Sequence, residues 1–188
     1  MRGRRRGGTP VSAPPFPGTD LTTRRLVLGR PGPADVDAML RVHSDPRACA
    51  HNPSDVLADR AEAEEIYRRW DAGWRTHGYG YRVVRRHGEP EVLGFCGIKP
   101  TVLSGLRALN LFYRLDPAHW GLGIAGEAAR AVVAWSLREL PGLPLVARIR
   151  PANTASQRVA LRAGLVRADH LDEIGSDGLD WIWAANLG

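Results

Sequence analysis

The sequence contains only two cysteines, a single lysine and no long apolar run. Cys49 and Cys96 are too few for a framework of disulfide bonds, and neither lies in a spacing typical of metal ligands. No stretch approaches the roughly 20 apolar residues that a membrane-spanning helix needs. The basic start at residues 1–6 is not followed by an apolar run, so it does not resemble a secretory signal. We expect a cytoplasmic protein that has no membrane anchor and no bound metal.

The positive charge of the chain has a partly local origin. The 188 residues carry a formal net charge of +6, and residues 1–20, with four arginines and one aspartate, account for half of it. Nearly all the cations are arginines, with Lys99 the only lysine. No stripe of arginines and aromatic residues follows in the body of the chain. We therefore expect no nucleic-acid partner, since an acidic ligand fits the mild positive balance equally well.

The chain divides into an arm and a single domain. Residues 1–20 are rich in Gly, Pro and Arg and cannot bury enough apolar surface to offset the entropy of ordering, so we expect a disordered arm. Residues 21–188 have the length and apolar content of one domain with a full core. An RNA-binding role of the arm is an alternative that the composition leaves open.

Apolar periodicity predicts a mixed α/β fold. Strand and helix patterns alternate in the order β-α-α-β-β-β-α-β-α-β-β, which favours a mixed, mostly antiparallel sheet of about seven strands with helices on both faces. The predicted strands are Arg25–Leu28, Tyr81–Arg85, Val92–Ile98, Arg107–Leu115, Leu145–Ile149, Leu165–Ala168 and Leu179–Ala184. The predicted helices begin near Pro33, Ala58, Gly123 and Ala155, and the last three end near Trp74, Leu140 and Ala163.

A glycine-rich loop joins a predicted strand to a predicted helix at residues 119–126 (HWGLGIAG). A helix N-terminus has unpaired N–H groups and a positive dipole end, so a pyrophosphate is stabilised there, and glycines let the backbone approach it closely. Gly121, Gly123 and Gly126 also have the spacing of a dinucleotide-binding loop, but such a loop follows the first strand of its domain, whereas this one comes in mid-chain. A P-loop is excluded because its lysine is absent. A turn without any ligand remains the other interpretation.

A second informative stretch lies at residues 150–165. Asn153 or Thr154 can cap a helix there, Ser156 lies one turn in, and Gly164 ends the helix. Taken alone, this is an ordinary capped helix.

Together the two stretches resemble the GNAT N-acetyltransferase superfamily, and more closely its branch typified by ribosomal-protein N-terminal acetyltransferases. The loop matches as Trp120-Gly121-x-Gly123-x-Ala125-x-Glu127-Ala128, and the later helix matches as Asn153-x-x-Ser156-x-Arg158 ending in Gly164. Further similarities are Thr23-Arg24-Arg25-Leu26-Val27-Leu28, Gly78-Tyr79-Gly80 and Leu93-Gly94-Phe95-Cys96-Gly97. The resemblance covers about residues 22–185.

The resemblance implies an acetyl-CoA-dependent N-acetyltransferase. The strand ending at Leu115 would part from its neighbour near Leu145–Ile149 and pair with the pantetheine arm. The amide of Leu115 would then stabilise the oxyanion. Asn153 would bond the pantetheine arm, and Ser156 would lie near the CoA sulfur. The amides implied to hold the pyrophosphate are those of Trp120, Gly121, Leu122, Gly123, Ile124, Ala125 and Gly126.

The sequence departs from the family pattern in its proton-transfer residues. Many members carry a tyrosine, the acid for the thiolate, where this chain has Ala160, which leaves Ser156 or water for that role. The strand before the loop offers Asn110 and Tyr113 instead of a carboxylate base. Glu91 and Asp116 are the nearest acids in the sequence. We expect Asp116 to be a turn residue.

The two residues before Trp120 are not expected to transfer protons. His119 is expected to line the loop entrance or face solvent, and Ala118 removes a side-chain phosphate contact that members often have. Direct attack by the amine, with water relaying its proton, is therefore the favoured mechanism.

The acceptor is an amine that the sequence does not name. A protein N-terminus or a small amine fits the branch, and a homodimer is a possibility that family resemblance raises. The aromatic residues near the second helix, which are expected to form the cleft wall or the core, are Trp70, Trp74, Tyr79 and Tyr81. The acidic residues expected either to attract a cationic acceptor or to be merely solvated are Asp169, Asp172, Glu173, Asp177 and Asp180. The alternative function is a catalytically idle module that binds acyl-CoA and regulates a partner.

Overall fold

The computed structural model describes residues 19–187, and within this range the chain forms nine β-strands and four α-helices. The strands are β1 Leu21–Thr22, β2 Leu26–Gly29, β3 Tyr81–Arg86, β4 Gly94–Leu103, β5 Leu106–Leu115, β6 Leu145–Ile149, β7 Val166–Arg167, β8 Glu173–Gly175 and β9 Gly178–Ala185. The helices are α1 Val36–Ser44, α2 Arg60–His77, α3 Ile124–Glu139 and α4 Thr154–Ala163.

The order of elements agrees with the sequence prediction apart from two short strands. β1 has two residues and β8 has three, and such short segments do not display the alternation that reveals a strand. The sheet therefore has nine strands instead of about seven. The mixed, mostly antiparallel α/β fold is confirmed.

The arm predicted at residues 1–20 lies outside the described residues, except for Thr19 and Asp20. The carbonyl oxygen of Thr19 accepts a hydrogen bond from Arg82 Nη1 at 3.0 Å, which places this residue against β3.

β4 runs through Pro100 to Leu103, beyond its predicted end at Ile98. Pro100 lies opposite Leu109 of β5. The N–H of Leu109 points away from β4, to Pro144 O at 2.8 Å, so the pair does not exchange hydrogen bonds. The proline nitrogen thus faces the β3 side, where β3 has already ended at the pair Tyr81↔Gly97. The missing N–H of Pro100 therefore costs no hydrogen bond between strands, and β4 continues past it.

The strands lie in the order β1-β2-β3-β4-β5-β6-β9-β7, with β8 paired to β9. The β5–β6 pair is parallel, and every other described pair is antiparallel.

The two faces of the sheet bury different helices. Because successive side chains of a strand point to opposite faces, Val84 and Cys96 pack in one core with α3 and α4, whereas Val83 and Phe95 pack in another with α1 and α2. Helices therefore cover both faces, as predicted.

Polar caps and glycines set the helix ends. Asp59 caps α2 by accepting from Glu62 N at 3.0 Å, and Gly78, with φ of 76°, ends it. The helix is therefore shifted by a few residues from the predicted Ala58–Trp74.

Among residues 19–187, no helix has both the length and the apolar character needed to span a membrane.

Gly97 should tolerate no side chain. A Cβ added there would meet the carbonyl oxygen of Gly80 and lie 2.6 Å from Tyr81 Cα, both backbone atoms of the paired strand. We expect Gly97→Ala to destabilise the fold by about 3 kcal/mol, measured by urea unfolding. Gly73→Ala is the control, because an added Cβ meets nothing within 4 Å inside α2 and should stabilise by about 1 kcal/mol. Equal midpoints for the two variants would contradict this account.

Candidate active site

Strands β5 and β6 separate near the middle of the sheet. Their parallel pairing covers Leu109↔Leu145 and Asn110↔Val146, whereas β5 runs on to Leu115 and β6 to Ile149. Within the described chain, no strand lies between the two facing edges beyond Asn110. The sheet therefore contains a V-shaped gap.

The main-chain groups of β5 point alternately toward β4 and toward the gap. Asp116 donates its N–H to Leu93 O at 2.9 Å on the β4 side, and Leu109 donates to Pro144 O on the β6 side. Alternate residues of an antiparallel strand point their N–H groups in the same direction. The amides that point toward the gap are those of Leu111, Tyr113 and Leu115.

The glycine loop leads from β5 to an uncapped helix start. Gly121 and Gly123 have φ of 76° and 74°, a left-handed conformation that favours glycine. Gly123 is the N-cap of α3 and has no side chain to cap it. The first helical bond runs from Glu127 N to Gly123 O at 3.1 Å, so the N–H groups of residues 124–126 have no acceptor within the helix. These donors, together with the helix dipole, favour an anion.

Trp120 ties the loop to the end of β5. Its indole Nε1 donates to Leu115 O at 3.1 Å. Its backbone N–H donates to Pro117 O at 3.2 Å within a short turn. The Trp120 amide is therefore already engaged, unlike those that follow it at the start of α3.

An ion pair that the sequence did not reveal braces the loop. Arg25 donates through Nε to Glu127 Oε2 at 2.6 Å and through Nη1 to Leu122 O at 3.0 Å. Thr23 Oγ1 donates to Glu127 Oε1 at 2.5 Å. Burial alone would raise the pKa of Glu127, but these hydrogen bonds outweigh it and lower the pKa. Both charges stand in family motifs, yet about a hundred residues separate them, and nothing in the sequence indicated that they pair.

The start of α4 lies against β5. Asn153 Oδ1 accepts from Ser156 N at 3.0 Å and so caps the helix. Tyr113 Oη donates to Ser156 O at 2.8 Å. Ala160 is fully buried in the apolar core, so a methyl group stands where many family members carry a hydroxyl.

One cleft of about 1970 Å³ contains the gap, the glycine loop and the face of the sheet below α2. Trp70, Tyr81 and Phe112 form an aromatic wall in it, with ring centroids 5.1 Å (Trp70–Tyr81) and 4.7 Å (Tyr81–Phe112) apart. Trp74 is instead fully buried, and its Nε1 donates to Tyr81 O at 2.9 Å. Tyr79 is buried in the core that contains α3 and α4.

A second unforeseen ion pair lies in the cleft. Arg114 is 7% exposed and donates to Asp55 Oδ2 at 2.7 Å, whereas the Asp55 side chain is 51% exposed. Asp55 comes from the α1–α2 loop, and no motif marked either residue.

The two acids predicted near the loop, Glu91 and Asp116, do not line the cleft. Asp116 accepts from Ala118 N at 3.0 Å and from Arg41 Nε at 2.9 Å, which confirms that it is a turn residue. His119 Nε2 lies 3.2 Å from Glu91 Oε1, and the His119 side chain is mostly buried along the cleft.

The acidic residues near the C-terminus are mostly paired with arginines. Glu173 pairs with Arg148 at 2.5 Å, and Asp180 with Arg150 at 3.3 Å. Asp177 accepts from Ser54 N at 3.0 Å and from Ser54 Oγ at 2.6 Å, which ties the α1–α2 loop to the β8–β9 turn. Asp172 pairs with Arg167, and Asp169 is exposed. Within the described chain, no three His, Cys, Asp or Glu side chains gather as metal ligands would.

His43 is a neutral histidine under the aromatic wall. It is buried, and its Nδ1 donates to Met39 O at 3.0 Å. Burial, and then the positive charge of Arg114, lower the pKa of His43 to about 4.

The pKa of His43 predicts a loss of stability in mild acid. The unfolded chain, with its ordinary histidine pKa near 6.5, binds a proton more tightly than the folded chain between pH 6.5 and 4. The free energy of unfolding therefore falls as the pH drops through this window, and His43 alone accounts for a loss of about 3 kcal/mol in total. His43→Gln should flatten the pH dependence of the urea midpoint, whereas His170→Gln, at an exposed position, should leave it unchanged. Parallel profiles for wild type and His43→Gln would disprove this assignment.

Comparison with known proteins places the chain in a family. A model described as an acetyltransferase (GNAT) domain matches residues 25–166. The protein YkkB of Bacillus subtilis (strain 168) is 39% identical over 109 residues, which are 58% of this chain and 63% of YkkB. The chain thus matches somewhat less than two thirds of the length of this relative.

Solved structures share the fold. The acetyltransferase from Agrobacterium tumefaciens str. C58 has a TM-score of 0.74 and 26% identity, covering 97% of this chain and 99% of its own. RimL, a ribosomal L7/L12 alpha-N-protein acetyltransferase in complex with coenzyme A, has a TM-score of 0.71 and 17% identity, covering 89% of this chain and 97% of its own. With the domain model spanning most of its length, this chain belongs to the GNAT acetyltransferase family.

Proposed function

We propose that this chain is an acetyl-CoA-dependent N-acetyltransferase in which a primary amine attacks the thioester directly. The observation that carries the proposal is the gap between β5 and β6, because its open main-chain edge leads to the uncapped start of α3. A ligand with amides along an extended arm and a pyrophosphate at one end matches both features. Coenzyme A has this chemistry and supplies the acetyl group as a thioester.

The pyrophosphate is assigned to the glycine loop. The N–H groups from Gly121 to Gly126 surround the positive end of α3, where an anion is stabilised. The sequence also indicated Trp120, but its amide already donates to Pro117 O. We therefore assign to Trp120 the bracing of the loop through its indole.

The pantetheine arm is assigned to the gap. Amides of Leu111, Tyr113 and Leu115 point into it and can pair with the arm as a neighbouring strand would. Leu115 is the amide that the sequence singled out as the oxyanion donor, but an arm that begins at the glycine loop carries its thioester deeper into the gap. We therefore assign the oxyanion to the amides of Tyr113 and Leu111, and Leu115 to the pairing with the arm. Asn153 uses its oxygen to cap α4, so its amide nitrogen is the group left to bind the arm.

The proton transfers are assigned to Ser156 and water. The Ser156 hydroxyl at the start of α4 is the proposed donor to the departing CoA thiolate. The β5 face beside the gap offers Asn110, Phe112 and Arg114, and Asp55, the carboxylate that lies against this face, is paired with Arg114. Water is therefore the proposed relay for the proton of the attacking amine. A protein N-terminus and a small amine both satisfy this chemistry.

Coenzyme A should stabilise the folded chain. At a concentration about 100 times its Kd, a ligand that binds only the folded state raises the free energy of unfolding by about 2.7 kcal/mol. We expect a clear rise in the melting temperature with CoA and with acetyl-CoA, followed by thiol release when a panel of peptides and polyamines is added. No rise at saturating ligand would refute the proposal. A rise without thiol release from any amine would favour the idle acyl-CoA-binding module, which the buried methyl of Ala160 makes the second candidate.

Arg25 should be needed for tight CoA binding. Arg25→Met removes the bond to Leu122 O and leaves the charge of Glu127 uncompensated beside the loop. We expect the Kd for CoA, measured by titration calorimetry, to rise about tenfold, which is about 1.4 kcal/mol. Arg24→Met is the matched control because Arg24 is the exposed neighbour. Equal affinities of the two variants would contradict the bracing role.

A further inference from the structure

We propose that Lys99 is an acceptor of the acetyl group, so that the chain acetylates its own side chain in the cleft. The inference rests on the proposed acetyl-CoA-dependent activity and adds a modification site to it.

Lys99 differs chemically from the arginines that make up the other basic side chains of the chain. The chain has 26 lysines and arginines, of which Lys99 is the only lysine. A guanidinium group stays protonated at any pH the protein meets and is no acyl acceptor, whereas a lysine amine becomes a nucleophile once it loses its proton. The single side-chain primary amine of the chain therefore lies on β4 and lines the cleft.

The sheet register places Lys99 at the fork of the gap. Lys99 pairs with Asn110, the last residue of β5 that pairs with β6. The Cβ atoms of such cross-strand partners lie about 5 Å apart. Gly97, two residues before Lys99 and on the same face, pairs with both Tyr81 and Phe112. Lys99 therefore projects on the face of the aromatic wall, beside the point where the gap begins.

This end of the gap is where a thioester belongs. The pyrophosphate site lies beyond Leu115, at the open end of β5, and an arm that enters from there runs along β5 toward Asn110. The reactive end of coenzyme A is the end far from its pyrophosphate. The amine of Lys99 and the thioester are thereby brought to the same part of the cleft.

The surroundings of Nζ hold the amine loosely. Nζ lies 5.8 Å from the centroid of the Tyr81 ring, and among residues 19–187 no carboxylate lies within ion-pair distance of it. An exposed cation–π contact contributes about 0.5–1 kcal/mol. The side chain is exposed, so it can leave the ring and turn toward the gap with little loss of free energy.

The reaction balances without any further reagent. The lone pair of neutral Nζ forms a bond to the thioester carbonyl carbon, and the carbon–sulfur bond breaks. The sulfur leaves with the electron pair, and the proton lost by nitrogen ends on it as the free thiol. The product is an uncharged acetyl-lysine, so each chain is modified once at this position.

The test is the rate of Lys99 acetylation in the full chain. The protein is incubated with acetyl-CoA and digested with a glutamate-specific protease, because trypsin does not cleave the Lys99–Pro100 bond, and the peptides are identified by mass spectrometry. We expect Lys99 to be acetylated at least about tenfold faster than in the urea-unfolded chain, as an oriented intramolecular reaction should be. The rate per chain should not change when the protein is diluted.

Two variants separate positioning from general reactivity. Lys99→Arg keeps the positive charge and should abolish this acetylation. Lys99→Arg combined with Arg68→Lys moves the single lysine to an exposed position on α2 that does not line the cleft, and that lysine should react no faster than in the unfolded chain.

The outcomes distinguish this inference from the proposed function. If CoA raises the melting temperature but Lys99 reacts no faster than in the unfolded chain, the inference is wrong and the CoA assignment stands. A rate that falls in proportion to dilution also overturns it, since one chain would then be modifying another. If CoA does not stabilise the protein, both proposals fail.

Discussion

The parting of β5 from β6 is the constraint on which the rest of the site depends. Only two residue pairs join these parallel strands, and so short a ladder does not position the strands alone. Each strand is instead fixed from its outer side, β5 by ten pairs with β4 and β6 by five with β9. The gap therefore has rigid edges. Its N–H groups stay aligned without a partner strand, which is what a ligand that binds as a strand requires.

The glycine loop is likewise positioned from outside. Gly121 and Gly123 adopt conformations that let the backbone turn, but glycines also leave a loop free to move. Trp120 fixes the loop to the end of β5, and Arg25 fixes it from β2 through Leu122 O and Glu127. A negative charge beside an anion site would normally weaken binding. Here the ion pair with Arg25 neutralises Glu127, so the carboxylate braces the loop without repelling a phosphate.

The sequence predicted the features that local patterns encode and missed those that depend on pairing across the fold. The glycine loop, the Asn153 cap and the strand ending at Leu115 lie where local pattern and family motif placed them. The extension of β4 through Pro100 was missed, because it is tolerated only where β3 ends, and β3 belongs to another part of the chain. The pairs Arg25–Glu127 and Asp55–Arg114 were missed for the same reason, since their partners lie far apart in the sequence.

The same distinction separates the two halves of the cleft. The half of the cleft proposed to bind the acetyl donor, formed by the gap and the glycine loop, consists mainly of main-chain N–H groups, which any sequence with this backbone presents. Ala118 and Ala160 therefore replace side chains there without removing this geometry. The acceptor half consists of side chains from α2, β3, β4 and β5 together with the α1–α2 loop, and each can change independently. Its aromatic wall, its half-exposed Asp55 and its single lysine are therefore properties of this chain and not of the fold. Membership in the family indicates the class of donor, and under the proposed function these side chains select the amine that reaches it.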